Sequence, residues 1–191
     1  MSATIMSLFE DTALFQGQQR QELCTGAVVL RGFAFAQATA LYEEVDGVTS
    51  RAPFRHMVTP GGVCMSVAMT NCGSYGWVSD STGYRYDPRD PHNGQNWPEM
   101  PDIFLKLAQN AAAAAGFDNY VPDACLINRY DPGTRLSMHQ DKDERDREAP
   151  IVSVSLGISA VFLWGGLQRQ DKPIRIPLFH GDGTDGPAKR I

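Results

Sequence analysis

The sequence lacks the features that define several common protein classes. Its 191 residues include four cysteines, and none of them forms a C-x-x-C pair. A disulfide framework or a structural zinc site is therefore not expected, and reduced thiols are. No apolar run approaches the roughly 20 residues of a membrane span, and no basic segment followed by an apolar one opens the chain. We therefore expect a cytoplasmic protein with no membrane partner.

Positive charge is also scarce. The chain has 17 Lys and Arg against 22 Asp and Glu, for a net charge of −5. This argues against a long interface that follows nucleic-acid phosphates, although it allows a protein that grips a few nucleotides locally. There is no P-loop and no G-x-S-x-G elbow, so neither a phosphate-binding loop of that type nor an elbow nucleophile is expected.

The chain contains several short segments with a strand pattern and two segments with a helical pattern. Hydrophobic residues make up 42% of the chain, which is enough for a core. We expect residues 1–24 to be loosely held, and a helix packed outside a jelly-roll-like core of regularly spaced strands. Helices are predicted over 36–49 and 102–115, and strands over 27–30, 65–69, 124–130, 136–141, 151–157, 159–164 and 174–179.

The most informative motif is His139-Gln140-Asp141, which lies between two strand-like segments. Side chains alternate along an extended strand, so His139 and Asp141 would point the same way. One imidazole beside one carboxylate is two-thirds of the 2-His-1-carboxylate set that holds non-haem Fe(II). A lone His-x-Asp also occurs by chance, so its surroundings matter.

Those surroundings offer polar groups on one face of the preceding strand. Leu126, Asn128 and Tyr130 share that face by period two, and the amide and phenol could hydrogen-bond a carboxylate-bearing co-substrate. The alternative is that Asn128 satisfies a backbone group and Tyr130 only packs. Asp143 would follow Asp141 on the same face and accept bonds from a substrate amino group, or it belongs to a solvated charged run.

Aromatic residues cluster in the turn-rich stretch before the second helix. Trp77, Tyr84 and Tyr86, with Arg85 among them, could stack an unpaired base, which is worth about 1–3 kcal/mol per base. Such aromatics also commonly cap a core. Spacing alone leaves both interpretations open.

Taken together, these segments resemble the AlkB family, the Fe(II)- and 2-oxoglutarate-dependent nucleic-acid dealkylases. The resemblance begins with Asn128-Arg129-Tyr130, Pro132-Gly133 and the run 139–144, and it covers roughly residues 26–182. Further segments that look like the bacterial members are 53–55, 57–62, 65–73, Trp77, 149–157 and 165–167.

The resemblance implies one domain over 1–191, mostly β, with a double-stranded β-helix (jelly-roll) core. An N-terminal layer with a nucleotide-recognition lid would occupy about 25–97, and a helix plus an incomplete core about 98–191. It also implies site residues: iron ligands His139 and Asp141; 2-oxoglutarate residues Asn128, Arg129 and Tyr130; and substrate residues Met69, Trp77, Tyr84, Arg85, Tyr86, Asp143 and Arg169.

The implied activity is oxidative demethylation of 1-methyladenine and 3-methylcytosine in DNA or RNA. It would use Fe(II) with O₂ and 2-oxoglutarate as co-substrates, and it would yield succinate and formaldehyde. The target base would sit in single-stranded or locally opened nucleic acid, because it must leave the stack. The role would be repair of alkylation damage by a monomer.

The sequence departs from the family after His180-Gly181-Asp182. The family continues into strands that carry a second iron histidine and two arginines for 2-oxoglutarate, whereas this sequence continues Gly183-Thr184-Asp185-Gly186-Pro187 and has no later histidine. We interpret this as a truncated or shifted frame, with the last core strands missing, a sheet edge exposed and iron held weakly. His180 stands before the turn, and not at the ligand position.

Two alternatives to a demethylase follow. One is a non-catalytic remnant that binds methylated single strands without turnover. The other is a 2-oxoglutarate oxygenase with a protein or small-molecule substrate, against which Trp77 and Asp143 argue.

Overall fold

Strands dominate the computed structural model, which describes residues 20–139, 141, 146, 149–165 and 171–187. Among these described residues are two α-helices, α1 (Ala38–Arg51) and α2 (Asp102–Ala115), and a 3-10 turn, Phe35–Gln37, leads into α1. The strands in chain order are β1 (Arg20–Cys24), β2 (Ala27–Leu30), β3 (Arg55–Val58), β4 (Cys64–Gly73), β5 (Gly76–Asp80), β6 (Gly83–Asp87), β7 (Ala124–Arg129), β8 (Pro150–Val154), β9 (Ala160–Trp164), β10 (Ile174–Leu178) and β11 (Gly183–Pro187).

The central sheet has the antiparallel order β1-β2-β11-β8. Every residue of β2 is buried, as expected for a short apolar run that is covered on both faces. Val28 and Leu30 face α2, and they pack with its Ala111. Ala27 and Val29 face the β9–β10 hairpin on the other side. The core is therefore layered as helix, sheet and hairpin.

Helix α2 has the bounds that its sequence predicts. Pro101 precedes it, and it ends where Gly116 adopts a left-handed φ of 100°. The Gly116 N–H bonds to carbonyls of the last turn, which satisfies acceptors that the helix leaves unpaired. Leu107 is buried at the junction with α1. Helix α1 is two residues later at its C-terminal end than the predicted 36–49.

A second sheet has the order β3-β4-β7, and β5 pairs with β6 in a separate hairpin. These strands lie between β2 and β8 in sequence. The longest strand, β4, pairs with β7 over six residue pairs without a bulge. Gly73 ends this pairing at a close approach of two backbones, because a Cβ there would lie 2.6 Å from the Asp123 carbonyl oxygen. Gly73 also has a φ of 112°, so only glycine suits the position.

Two predictions of secondary structure were wrong. Residues 20–24 are not loose but form β1, which turns through Gly26 (φ 81°) to pair with β2. Residues 136–139, predicted as part of a strand, are irregular. Strand formation there would require a neighbouring strand to satisfy the backbone, and among the described residues none pairs with this segment.

The segment after Asp182 is built into the sheet. Its residues 183–187 form β11, which lies between β2 and β8 and pairs with both. The sheet is therefore continuous at this place. In the described part of the chain, β8 pairs only with β11 and β7 only with β4, so each presents one open edge.

Asp182 and Asp185 bracket the start of this strand and differ in how they are satisfied. Asp182 is fully buried, and its carboxylate accepts bonds from Arg31 Nη1 at 2.5 Å, Gly32 N at 2.9 Å and Phe179 N at 3.0 Å. Asp185 is 2% exposed, and neither carboxylate oxygen has a hydrogen-bond partner. It lies opposite Val28 and Val152, under α2. Burial raises its pKa from 3.8 to about 7.

This carboxyl makes stability depend on pH. The folded protein holds a proton on Asp185 that the unfolded chain releases between about pH 4 and about pH 7. The free energy of unfolding should therefore fall as the pH rises across that window, by about 4 kcal/mol in full. Asp185→Val, matched to its valine neighbours, should remove this slope and stabilise the protein at about pH 8. Urea unfolding at about pH 5 and about pH 8 measures both.

The control is Asp182→Asn, which breaks a satisfied carboxylate and should destabilise the protein by about 3 kcal/mol. An unchanged pH slope in Asp185→Val would contradict the assignment.

Candidate active site

The site begins with the register between β4 and β7. Met69 lies directly opposite Asn128, and Asn71 opposite Leu126, so these side chains share one face of the pair. Met69 is buried and Asn128 exposed. The predicted shared face of Leu126 and Asn128 is thus confirmed, while Tyr130 lies just beyond the strand and is half exposed. Partial burial raises the pKa of the Tyr130 hydroxyl.

His139 and Asp141 face one another. The His139 Nε2 and Asp141 Oδ1 atoms are 3.5 Å apart, and the His139 Nδ1 lies 2.7 Å from the Ser137 carbonyl oxygen. Because a carbonyl only accepts, Nδ1 carries the proton of this bond. In the neutral ring the Nε2 lone pair then points towards a carboxylate oxygen, an arrangement that a proton or a cation between them would stabilise.

This donor pair fits two positions of an iron site. Two ligands bound to one ion at about 2.1 Å and at right angles would lie about 3 Å apart, close to the separation that is present. The imidazole and carboxylate are donor types of the facial triad that binds Fe(II). Among the described residues, no cluster of three His, Cys, Asp or Glu side chains is found.

His180 has a packing role. Its Nδ1 accepts a hydrogen bond from the Gly157 N–H at 3.0 Å. The ring stacks on Tyr42, with centroids 6.4 Å apart, and meets the edge of Phe35 at 5.5 Å. These contacts describe how the ring packs, and the interpretation that His180 is not an iron ligand stays a prediction.

The segment that carries His139 runs beside β4. The Ser66 hydroxyl donates to the Arg135 carbonyl at 3.1 Å. Leu136 packs against a buried cluster that includes Met69 and is also in contact with Trp77. Trp77 of the β5–β6 hairpin and Leu136, three residues before His139, therefore pack against one apolar cluster that contains Met69, the register partner of Asn128.

The β5–β6 hairpin presents its aromatics on one face. Trp77 stacks on Tyr84, with ring centroids 5.7 Å apart and an angle of 18° between planes, and it lies opposite Tyr86 in register. Asn71 fixes the Trp77 backbone through two bonds, to its N–H at 2.9 Å and its carbonyl at 3.0 Å. Asn71 is a positioning residue that sequence reasoning missed, because nothing in its spacing marks a buried amide clamp.

Arg85 lies on the other face of this hairpin, since its register partner is Val78. Its guanidinium contacts Asp80 at 3.0 Å and Asp87 at 3.3 Å. Bonds from Thr82, together with the guanidinium, hold the pKa of the Asp80 carboxyl below its usual range. The structure thus uses Arg85 to brace the hairpin, and its substrate contact stays a prediction.

Arg129 also alternates away from the Asn128 face. Its guanidinium lies 5.0 Å from the centre of the Phe54 ring and 3.8 Å from Asp131. Two predicted substrate residues, Asp143 and Arg169, lie outside the described residues.

Comparisons with known proteins show the family to which the chain belongs. The model of the 2OG-Fe(II) oxygenase superfamily matches residues 26–184. The chain is 54% identical over 178 residues to the alpha-ketoglutarate-dependent dioxygenase AlkB of Escherichia coli (strain K12), covering 93% of this chain and 81% of that protein. The chain belongs to the AlkB family. It is a dioxygenase, and membership implies Fe(II) and 2-oxoglutarate.

More distant AlkB relatives extend the comparison. Nucleic acid dioxygenase ALKBH1 of Homo sapiens is 33% identical over 106 residues, which is 56% of this chain and 27% of that protein. The solved structure of OsALKBH1 matches with a TM-score of 0.78 at 26% identity, covering 90% of this chain and 84% of that one. The mostly β, jelly-roll fold that was predicted for this chain from its resemblance to the AlkB family is confirmed. In the described part of the chain, no helix is long and apolar enough to cross a membrane.

His139 and His180 should respond differently to substitution. His139→Ala removes a donor and should weaken Fe(II) binding at least about hundredfold, with little effect on Tm because the ring is exposed. His180→Gln keeps an acceptor for Gly157 but loses the stacking, so it should lower Tm and keep iron affinity. Anaerobic competition with a chelator and thermal unfolding measure the two. Exposed His92→Ala is the control, and equal iron loss in all three variants would contradict the assignment.

Proposed function

We propose that this AlkB-family chain demethylates N-alkylated bases, 1-methyladenine and 3-methylcytosine, in DNA or RNA as a repair enzyme. The observation that carries the proposal is the His139–Asp141 pair, oriented by the Ser137 carbonyl and joined through Leu136 to the Trp77 cluster. A metal-binding pair beside an aromatic face suits chemistry on a flat, methylated base.

In this proposal, His139 and Asp141 hold Fe(II), which when bound supplies the oxidising chemistry with O₂ and 2-oxoglutarate. Asn128 donates its amide N–H, and Tyr130 its hydroxyl, to the carboxylates of 2-oxoglutarate. The Tyr130 hydroxyl is protonated near neutral pH and can donate, and partial burial raises its pKa further. Arg129 lies between Asn128 and Tyr130 in sequence. Its guanidinium stacks on the Phe54 ring, and this contact holds the end of β7 in place.

Base recognition is assigned to the hairpin. Trp77 and Tyr84 form a stack, and a flipped base can either stack on it or insert between the two rings. A methyl group that makes the base cationic would strengthen its contact with Trp77. Met69 belongs to the buried cluster against which Trp77 packs, and Tyr86 lies on the same face of the hairpin as Trp77. Asp143 and Arg169 would contact the substrate. The net charge of −5 favours a local grip on a single strand over an extended duplex interface.

We further propose a monomeric, cytoplasmic protein that folds as one domain over 1–191, with the lid layer at about 25–97 and the core at about 98–191. All four cysteines lie in the described residues, and the proposed compartment would keep their thiols reduced.

A second candidate is binding of methylated strands without turnover. The observation that favours it is the donor pair itself, which has no third His, Cys, Asp or Glu beside it in the described residues. A substrate other than nucleic acid fits less well, because the stacked Trp77 and Tyr84 offer a flat aromatic surface.

Turnover separates the two candidates. Anaerobic addition of Fe(II) and 2-oxoglutarate should produce a weak visible charge-transfer band, and a 1-methyladenine oligonucleotide should then release formaldehyde in air. Both signals should vanish in Asp141→Ala. Methyl-dependent binding of the oligonucleotide with neither signal would reject the demethylase and leave the binding protein.

Substrate class is tested at the aromatic hairpin. Trp77→Ala should weaken binding of the methylated oligonucleotide by about tenfold or more, since stacking is worth about 1–3 kcal/mol per base. The matched control Trp77→Phe keeps an aromatic ring and should lose less. Fluorescence anisotropy with a labelled oligonucleotide gives both affinities, and unchanged binding in Trp77→Ala would remove the hairpin from the proposal.

A further inference from the structure

Two of the four cysteines lie face to face outside the candidate active site. Cys72 in β4 is directly opposite Cys125 in β7, and their thiols hydrogen-bond to each other. Cys72 is fully buried and Cys125 is partly exposed. Because residues alternate along β4, this pair lies on the face opposite to Met69 and Asn128.

The backbone suits a bond between these sulfurs. Directly opposed residues in an antiparallel pair have Cα atoms about 4.5 or 5.5 Å apart, and both values fall inside the range of about 4.4–6.8 Å found for disulfides. The pairing runs without a bulge from Ala68↔Arg129 to Gly73↔Ala124. Cys24 lies opposite Ala27 and Cys64 opposite Val58, so neither of these residues faces a cysteine in its strand register.

The two thiols differ in reactivity. The hydrogen bond from Cys72 lowers the pKa of Cys125, while that bond and burial raise the pKa of Cys72. Cys125, the partly exposed residue of the pair, is therefore the one whose pKa shift favours the thiolate, which is the form that reacts with oxidants. The buried thiol stands where a resolving cysteine would stand.

We propose that Cys72 and Cys125 form a redox pair that closes to a cross-strand disulfide when the protein meets a peroxide. The Cys125 thiolate attacks one oxygen of hydrogen peroxide, the O–O bond breaks, and the departing hydroxide takes a proton to become water. Cys72 sulfur then attacks the Cys125 sulfenic acid. The S–S bond forms, the S–O bond breaks, and the hydroxyl leaves as water with the Cys72 proton.

Two thiols thus lose two electrons while one peroxide is reduced to two waters. The bond would join the strands that carry Met69 and Asn128 without touching either residue, so it fixes the frame of the site and leaves its donors unmodified. It would also close a long chain loop, which stabilises the fold by restricting the unfolded state. A disulfide of this kind in a reducing compartment is typical of a reversible sensor.

The test uses the full chain, kept metal-free with a chelator, and hydrogen peroxide. Intact mass should fall by two hydrogen atoms, and digestion without reductant should yield one linked peptide that contains Cys72 and Cys125. The oxidised protein should have a Tm higher by about 5 °C, and dithiothreitol should reverse both changes.

Variants assign the order of events. Cys72→Ser should stop at a sulfenic acid on Cys125 that dimedone traps, whereas Cys125→Ser should leave the buried Cys72 unreacted. A variant with both Cys24→Ser and Cys64→Ser is the matched control and should still form the linked peptide. The proposal is overturned if peroxide-treated wild-type protein gives no linked peptide, or if the bond involves Cys24 or Cys64.

Discussion

The pairing of β4 with β7 is the constraint on which the candidate site depends. Its register puts Met69 against Asn128 on one face and Cys72 against Cys125 on the other. A slip of one residue would move every one of these side chains to the wrong face. Gly73 prevents that slip, because its close approach to the Asp123 carbonyl tolerates no Cβ. From the end of β7 the chain continues through the turn at Pro132-Gly133 to His139.

Two aspartates show how differently one segment fits its surroundings. Asp182 is held by Arg31 and by two backbone N–H groups, so its burial is compensated. Asp185 enters the same core three residues later, between two valines, with no donor. Hydrogen bonding of the backbone places β11 in the sheet, whereas its Asp185 side chain does not suit the apolar layer under α2. Sheet pairing and core packing therefore act in opposite directions in this strand.

Much of this was predictable from sequence, and the exceptions have a common cause. Periodicity and end signals are local features of the sequence, and they predict helix α2, strand β2 and the shared face of Leu126 and Asn128. Strand β1 and the irregular stretch at 136–139 were mispredicted, because strand formation depends on a partner that local sequence does not specify. The same limit applies to Asn71 and Arg85, since the amide clamp on Trp77 and the carboxylates around the guanidinium are defined by register across strands.

The close approach of His139 and Asp141 has a physical basis that differs from the one the sequence pattern suggested. Strand alternation predicted that the two side chains would point the same way, yet residues 136–139 are irregular. The orientation comes instead from the bond between His139 Nδ1 and the Ser137 carbonyl, which turns Nε2 towards the Asp141 carboxylate. Leu136 anchors the segment in the Met69 cluster. An apolar anchor and one backbone carbonyl can therefore align a donor pair where a hydrogen-bonded strand would otherwise do so.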